Sequence, residues 1–358
     1  SKGDTRSTPL IYAFVYDRLS QDPVVDPVIN SPFDGGDAGG RAAINPNFKP
    51  TYTTFPERST FPLAYLTNLD RRTSEIVNVL AWRDEEFGNG ATDELFAGAY
   101  VVYRWQRSTE SRIIIPDVSF RLKYTLKNNR NLALYSEGEW HSIFGHSGAL
   151  AFSGGCPPEP CNRGEAGIHN ALARFGIGNP GKWGTYLEGG FSSGDDDILS
   201  FTEGDSPTLK VRGFNQNIKV GLLMYQVALR AITWNAFAPL SAEVLGANGS
   251  VWNSVYFLPV GRVTIVPGIE LHAQFLVAWA SALDPFVYRG NRVKNCRLAA
   301  ECFYGWEADL ALRAKVGARD IIWVDLEGGV MMPGQAFTAA GINDALLWTT
   351  QLRAAMIF

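Results

Sequence analysis

Apolar and polar residues alternate along several long stretches of the chain. In 113–126 one face carries Ile114, Pro116, Val118, Phe120, Leu122, Tyr124 and Leu126, and the other carries Asp117, Ser119, Arg121, Lys123 and Thr125. The same period of two runs through 269–279 and 304–316. Successive side chains of a β-strand point to opposite faces, so this period predicts strands and not helices.

The alternation predicts thirteen strands, many of them 10–15 residues long. They span 8–19, 61–70, 75–84, 93–106, 112–126, 131–144, 166–177, 182–193, 250–264, 268–282, 303–316, 320–332 and 343–358. Short turns alternate with long connections at 20–60, 145–165, 194–249, 283–302 and 333–342. A strand at 48–56 would give fourteen and two more from 206–237 sixteen, although in 213–237 a loop or helix is favoured over a strand.

Strands of this length suit a tilted crossing of a lipid bilayer, which takes about 9–11 residues. Aromatic residues are expected near the strand ends, where outer-membrane barrels carry girdles: Tyr103, Trp105, Trp140, Trp183, Trp279, Trp306 and Trp348. We therefore predict an all-β fold, a transmembrane antiparallel β-barrel of about 14–18 strands with short periplasmic turns and long extracellular loops. It forms one domain over 1–358, and because Ser1 opens no signal peptide the chain is read as mature or as a fragment.

Composition excludes other classes of protein. Hydrophobic residues make up 46% of the chain, yet no apolar run reaches 18 residues, which excludes a helical membrane protein. Aromatics reach 12% while charged residues are only 19%, and the net charge of −4 excludes a generic nucleic-acid binder.

The four cysteines form two close pairs in loop sequence, Cys156 with Cys161 and Cys296 with Cys302. Neither spacing is that of a zinc site. Local disulfides are favoured over free thiols, although cross-linking between the pairs stays open, and disulfides imply an oxidising, exported location.

Two short runs resemble alginate-export-type outer-membrane porins of bacteria. They are Glu188-Gly-Gly-Phe-Ser-Ser-Gly194-Asp-Asp-Asp and Phe214-Asn-Gln-Asn-Ile-Lys-Val220-Gly-Leu-Leu-Met. Tyr103-Arg104-Trp105-Gln106 and Ile115-Pro116-Asp117 are also similar to that family, so the resemblance extends from about residue 93 onward. The chain departs from the family where Asn217-Ile218 replaces an Asp-Tyr pair and where the loop after 93–106 is very short, and both departures weaken the implied anionic-polysaccharide substrate.

The final strand also looks like the C-terminal signature of bacterial outer-membrane barrels. Alternation from Trp348 ends on Phe358, the residue type that the barrel-assembly machinery recognises at this position. The resemblance implies an outer-membrane location, with membrane lipid, lipopolysaccharide and the assembly machinery as partners.

The polar faces predict a charged lumen. Its expected lining residues are Arg104, Arg121, Lys123, Glu137, Glu139, His141, Arg174, Glu188, Glu270, His272, Glu307, Asp309, Arg313, Lys315, Asp325, Glu327 and Arg353. Neighbouring strands carry opposite signs, and a turn at 127–130 would place Arg121 near Glu137, so one interpretation is a salt-bridged wall. The other is a ring of Arg and Lys that selects anionic solutes.

Two loops carry further charge. Arg289, Arg292, Lys294 and Arg297 form a basic loop that either is solvated or attracts an anionic solute or lipopolysaccharide phosphate. Asp195, Asp196, Asp197, Glu203 and Asp205 form an acidic stretch, a candidate for Ca²⁺ that lacks the spacing of a calcium loop. No other cofactor or metal is expected.

Catalysis has little support in the sequence. Ser142 follows His141 directly, and adjacent strand residues face opposite sides, so these two cannot form a nucleophile–base pair. No G-x-S-x-G motif is present. The predicted function is an outer-membrane channel for polar or anionic solutes, such as polysaccharide. The alternative is a non-conducting structural or adhesion barrel, or the barrel subunit of a larger envelope assembly.

Overall fold

The computed structural model describes residues 10–20, 72–84, 87, 93–106, 111–126, 132–147, 164–179, 181–198, 208–214, 218–237, 245–316 and 322–356. Its strands are β1 (Leu10–Ser20), β2 (Arg72–Asp84), β3 (Glu94–Gln106), β4 (Ser111–Thr125), β5 (Ala133–Ser147), β6 (Gly164–Asn179), β7 (Trp183–Ser192), β8 (Thr208–Leu209), β9 (Ser254–Val266), β10 (Ile269–Ala280), β11 (Phe303–Val316), β12 (Ile322–Pro333) and β13 (Leu347–Met356). All form one sheet, so the predicted all-β class is confirmed.

Twelve of these strands follow one antiparallel path in chain order from β1 to β13, and the short β8 pairs in parallel with β6 off this path. Within the described residues, β1 pairs with β2 and β13 with β12. The closing pair between last and first strand that the sequence predicted is therefore not among the described pairings. The strands predicted at 48–56 and 61–70 lie outside the described residues.

The longest connections lie at one end of the strands and the tight turns at the other, although the four-residue connection 107–110 lies at the long-connection end. β7 and β9 are joined through 193–253, and β10 and β11 through 281–302, whereas β9 and β10 are joined by the turn Pro267–Gly268. Gly268 has a φ of +86°, a backbone conformation that glycine adopts without strain. Because the path holds an even number of described strands, β1 begins and β13 ends at the short-turn end, as the sequence predicted.

Segment 206–237 does not add the two long strands that would have made sixteen. After β8 it forms a π-helical turn, Met224–Leu229, that continues into α1, Arg230–Ala236. The consecutive apolar residues Leu222, Leu223 and Met224 break the period of two, and the favoured interpretation as loop or helix is confirmed. A second short helix, α2 (Gln335–Ala339), follows β12.

The segments 218–237 and 245–253, together called the insert, pack on one face of the sheet, here called the inner face. Met224, Tyr225 and Leu229 of the insert are fully buried against Tyr256 of β9 and Leu276 of β10. Predicted strand 250–264 therefore begins late, at Ser254, because Val251 and Trp252 are buried in the insert and Asn253 has a φ of +48°.

The opposite, outer face is apolar and exposed. One row of direct cross-strand partners runs over six strands: Trp183, Val263, Leu271, Leu312, Leu326 and Leu352. Leu326 is 52% exposed and Leu352 is 71% exposed. The described residues leave much of the apolar surface of this row uncovered. The row therefore requires an apolar environment that the described residues do not supply.

Aromatic side chains concentrate near the strand ends on the outer face, as predicted, with one exception. Tyr103 stacks on Trp105 with ring centroids 5.4 Å apart, and Trp279 meets Phe303 at 5.2 Å, both at the long-connection end. Trp140 is the exception, since it lies in the middle of β5. Within the described ranges, no helix has the length and apolar character required to cross a membrane.

Candidate functional site: the charged inner face

Two rows of alternating charge cross the inner face. In the first, direct cross-strand partners run Arg121, Glu137, Arg174, Glu188 from β4 to β7. In the second they run Glu270, Arg313, Asp325, Arg353 from β10 to β13. All these residues lie on the same face of the sheet because they are direct cross-strand partners. Each strand contributes the opposite charge from its neighbour.

Ion pairs connect the charges within each row. Arg174 donates to Glu137 at 2.7 Å and also to the buried Glu188, which in turn accepts the Tyr256 hydroxyl at 2.5 Å. Arg121 lies 3.6 Å from Glu137, as its predicted position implied.

The second row is linked in the same way. Arg313 lies 3.8 Å from Asp325 and 3.7 Å from Glu327, and Arg353 also donates to Glu327. Each of these bases therefore has an acidic partner within the wall.

The other predicted lumen residues also face this side. Arg104 donates to Glu75 at 2.7 Å, and Gln274 donates to Asp309 at 2.7 Å. Lys315 stands over the Trp323 ring at 4.6 Å. His272 lies 3.2 Å from Glu270, and Lys123 is the cross-strand partner of Glu94. Together these contacts favour the salt-bridged wall over a ring of unpaired cations.

Glu307 contacts the insert and not the arginines of the wall. Its side chain is fully buried, and its carboxylate accepts the backbone N–H groups of Leu222, Leu223 and Met224, the last two at 2.7 Å. These N–H groups begin the π-helical turn and have no partners within it. Gly221 has a φ of +65°, and a Cβ there would meet a Glu307 oxygen at 2.7 Å. The carboxyl group of Glu307 therefore holds the start of the insert in place.

The acidic and basic loops that the sequence singled out lie against each other and form ion pairs. Arg292 lies 3.2 Å from Asp196 and 3.7 Å from Asp197, and Lys294 is 4.0 Å from Asp196. Asp195 accepts the backbone N–H groups of Asp197 and Lys210. Asp195, Asp196 and Asp197 thus have protein partners, while Glu203 and Asp205 lie outside the described residues, and the calcium interpretation stays a prediction.

Asp284 connects the same loops through hydrogen bonds to their backbone. Its carboxylate accepts the backbone N–H groups of Ile198 and Phe286, both at 2.8 Å, and of Val287 at 3.1 Å. Burial raises the pKa of this carboxyl above its usual value, against the opposing effect of these hydrogen bonds. The loops at the long-connection end thus form one packed layer with the insert.

The predicted disulfide Cys296–Cys302 closes the end of this layer, with Cα atoms 5.7 Å apart. Cys156 and Cys161 lie outside the described residues, as does Phe358.

Replacing Cys296 and Cys302 with Ser is expected to destabilise the 281–302 loop by about 2 kcal/mol, the chain-entropy cost for a loop this short. Peptide mapping without reduction checks the bond, and hydrogen exchange of 281–302 checks the effect. Free thiols in freshly isolated protein would contradict it.

Comparison with known proteins finds no matching family model and no matching curated protein. Among solved structures, the fold resembles CdiB from Acinetobacter baumannii at 9% sequence identity and a TM-score of 0.34. The alignment covers 79% of this chain, and the chain spans only 43% of that structure's length. Functional assignment therefore rests on this chain's own residues.

One serine–histidine contact was missed by the sequence argument, which tested only adjacent residues. Ser142 Oγ lies 2.7 Å from Nδ1 of His169, its cross-strand partner on β6. The rings of Trp140 and Phe144 stand against His169, and Ser142 has no exposed surface. A buried hydroxyl under two aromatic rings is closed to a substrate, so this pair is a structural contact of the outer face.

A second group that the sequence did not assemble joins β4 and β5 on the inner face. Asp117 is the cross-strand partner of His141, and Glu139 lies two residues before His141 on the same face. One ligand atom from each of the three lies within 4.8 Å of the others. The Glu-x-His spacing was visible in the sequence, but the partner carboxylate depends on strand register.

Proposed function

We propose that this chain is an outer-membrane β-barrel channel for polar solutes. The observation that supports it is the contrast between the two faces of one sheet. The outer face carries the exposed row from Trp183 to Leu352, and the inner face carries the two charged rows. An apolar exterior with a wet, charged interior is the arrangement that a membrane barrel needs.

The charged rows bear on the class of solute. Each four-residue row contains two acids and two bases, so the described wall has no excess of either sign along these rows. Such a wall is hydrated and passes polar molecules with little preference between anions and cations. Anionic polysaccharide, the cargo that the porin resemblance suggests, remains the narrower proposal within this class.

Planar-bilayer recording of the refolded full chain tests the proposal. Discrete conductance steps that scale with salt concentration are expected for a water-filled lumen. The matched control is the same protein unfolded in denaturant and added to the bilayer without the lipid or detergent needed for refolding. Absence of steps from protein that has inserted into liposomes and resists protease would overturn the channel assignment.

A non-conducting barrel is the second candidate, and the insert favours it. The insert buries Met224, Tyr225 and Leu229 on the inner face, where they occupy space that an open channel would leave to water. In this case the protein inserts into membranes but conducts only when the insert is displaced. Recordings of an insert-released variant distinguish the two candidates.

The wall pairing leads to a selectivity prediction. Replacing Arg313 with Gln is expected to shift the channel towards cations, because Asp325 loses its partner and Glu327 keeps only Arg353. The free energy of unfolding should change little, since Arg313 is about half exposed and exposed ion pairs contribute about 0–1 kcal/mol. The reversal potential in a salt gradient measures the shift. Glu270→Gln, on the same row, should move it in the opposite direction, and no movement in either variant would reject a conducting role for this row.

A further inference from the structure

We propose that Asp117, Glu139 and His141 form a binding site on the inner face for a divalent transition-metal ion, with Zn²⁺ as the type ion. Three side chains from two neighbouring strands offer two carboxylate oxygens and one imidazole nitrogen, mutually within 4.8 Å. Two atoms bound to one ion at about 2.0–2.2 Å are at most about 4.4 Å apart, so small side-chain rotations bring this group to bonding distance. The site is independent of whether the barrel conducts.

Strand geometry builds the site without help from a loop. Glu139 and His141 are two residues apart on β5, so both side chains leave the same face. Register places Asp117 of β4 directly opposite His141, and Ser119 opposite Glu139. Asp117 is therefore also the diagonal neighbour of Glu139, and all three converge where a rigid sheet fixes their backbones.

Asp117 supplies an independent observation that points to a ligand. Its side chain is only 2% exposed, and its Oδ2 atom has no hydrogen-bond partner among the described residues. A buried carboxylate oxygen without a donor costs free energy, which a bound cation would recover. Wall carboxylates such as Glu188 and Glu327 have arginine partners instead.

The histidine is held in place by a buried neighbour. Asn170 of β6, which is 1% exposed, lies with its side-chain amide 3.0 Å from Nε2 of His141 and is also its cross-strand partner. In this orientation the amide nitrogen of Asn170 donates to Nε2. A half-turn of the amide group would present its oxygen to an Nε2–H instead, the outer contact that orients metal-binding histidines, and would leave Nδ1 for the ion. Glu139 is exposed and His141 half buried, so an ion and an exchangeable water can reach the site from the inner face.

The donor set selects among cations. Imidazole suits Zn²⁺, Fe²⁺ and Ni²⁺, whereas Ca²⁺ and Mg²⁺ prefer oxygen ligands throughout. Two carboxylates also neutralise a divalent charge in a partly buried position. We therefore expect Zn²⁺ to bind and Ca²⁺ not to compete with it.

Isothermal titration of the full-length, detergent-folded protein with Zn²⁺ tests the site. One equivalent is expected to bind, and Asp117→Asn and His141→Gln should abolish that binding. Asn170→Ala should weaken it about 10–100-fold, the usual effect of an outer-contact residue. The matched control is the double variant Glu270→Gln/His272→Gln, which removes the inner-face pair at 3.2 Å that has only one carboxylate. It should bind Zn²⁺ as the unaltered protein does.

Unfolding without metal separates loss of the site from loss of the fold. Asp117→Asn should be at least as stable as the unaltered protein when a chelator is present, because it removes a buried carboxylate whose Oδ2 has no donor, and only the unaltered protein should be stabilised further by Zn²⁺. Equal Zn²⁺ affinity in folded Asp117→Asn, or displacement of Zn²⁺ by equimolar Ca²⁺, would overturn the proposal. So would failure of the unaltered protein to bind Zn²⁺.

Discussion

Replacing Glu307 with Ala is expected to release the insert from the inner face. Three backbone N–H groups lose their acceptor at once, and each buried donor left without a partner costs about 1–3 kcal/mol. Local opening of 221–237 should therefore become easier by roughly 3 kcal/mol or more. Hydrogen exchange of 221–237 should accelerate, and channel conductance in planar bilayers should rise.

Glu327→Ala is the matched control for this experiment. Glu327 is also a buried inner-face glutamate, but its ion pairs are with Arg313 and Arg353 of the wall. Its loss should leave exchange in the insert unchanged. Glu307→Gln, which keeps one acceptor oxygen, should fall between. Unaltered exchange at Leu222–Met224 in Glu307→Ala would show that the carboxylate does not hold the insert.

Replacing Leu326 with Arg is expected to impair membrane insertion severely. Leu326 lies on the outer face with Leu312 and Leu352 as its cross-strand partners, and it is exposed. An arginine facing lipid near mid-membrane costs about 2–4 kcal/mol in a transmembrane barrel. In a water-soluble sheet the same exposed change would cost almost nothing, so the free energy of unfolding from liposomes measures which solvent this face meets.

The control places the same residue type on the opposite face. Gln351 of β13 is the cross-strand partner of Glu327 and points to the inner side. Gln351→Arg should insert and fold normally, since its charge enters a wet wall beside an acid. Equal tolerance of Leu326→Arg and Gln351→Arg would contradict a lipid-facing outer row.

Alternation alone was sufficient to predict the sheet, because the period of two is a local property of the chain. It located strands such as 93–106 and 303–316 to within about a residue of β3 and β11. It also placed Arg121 near Glu137, since a short turn between antiparallel strands leaves few possible registers. Strand ends were less accurate where burial intervened, as at Ser254, where the preceding Trp252 packs with the insert.

The sequence by itself determined the strands, their order along the chain and the separation of apolar from charged faces. Only the tertiary structure decided what those charges contact. Glu307 and Glu327 have the same place in the alternation, yet one binds backbone N–H groups of the insert and the other binds arginines. Asp117 meets His141 through register between strands, and Arg292 meets Asp196 across 96 residues of chain. A local period fixes which face a side chain occupies, whereas partners distant in sequence are fixed by packing.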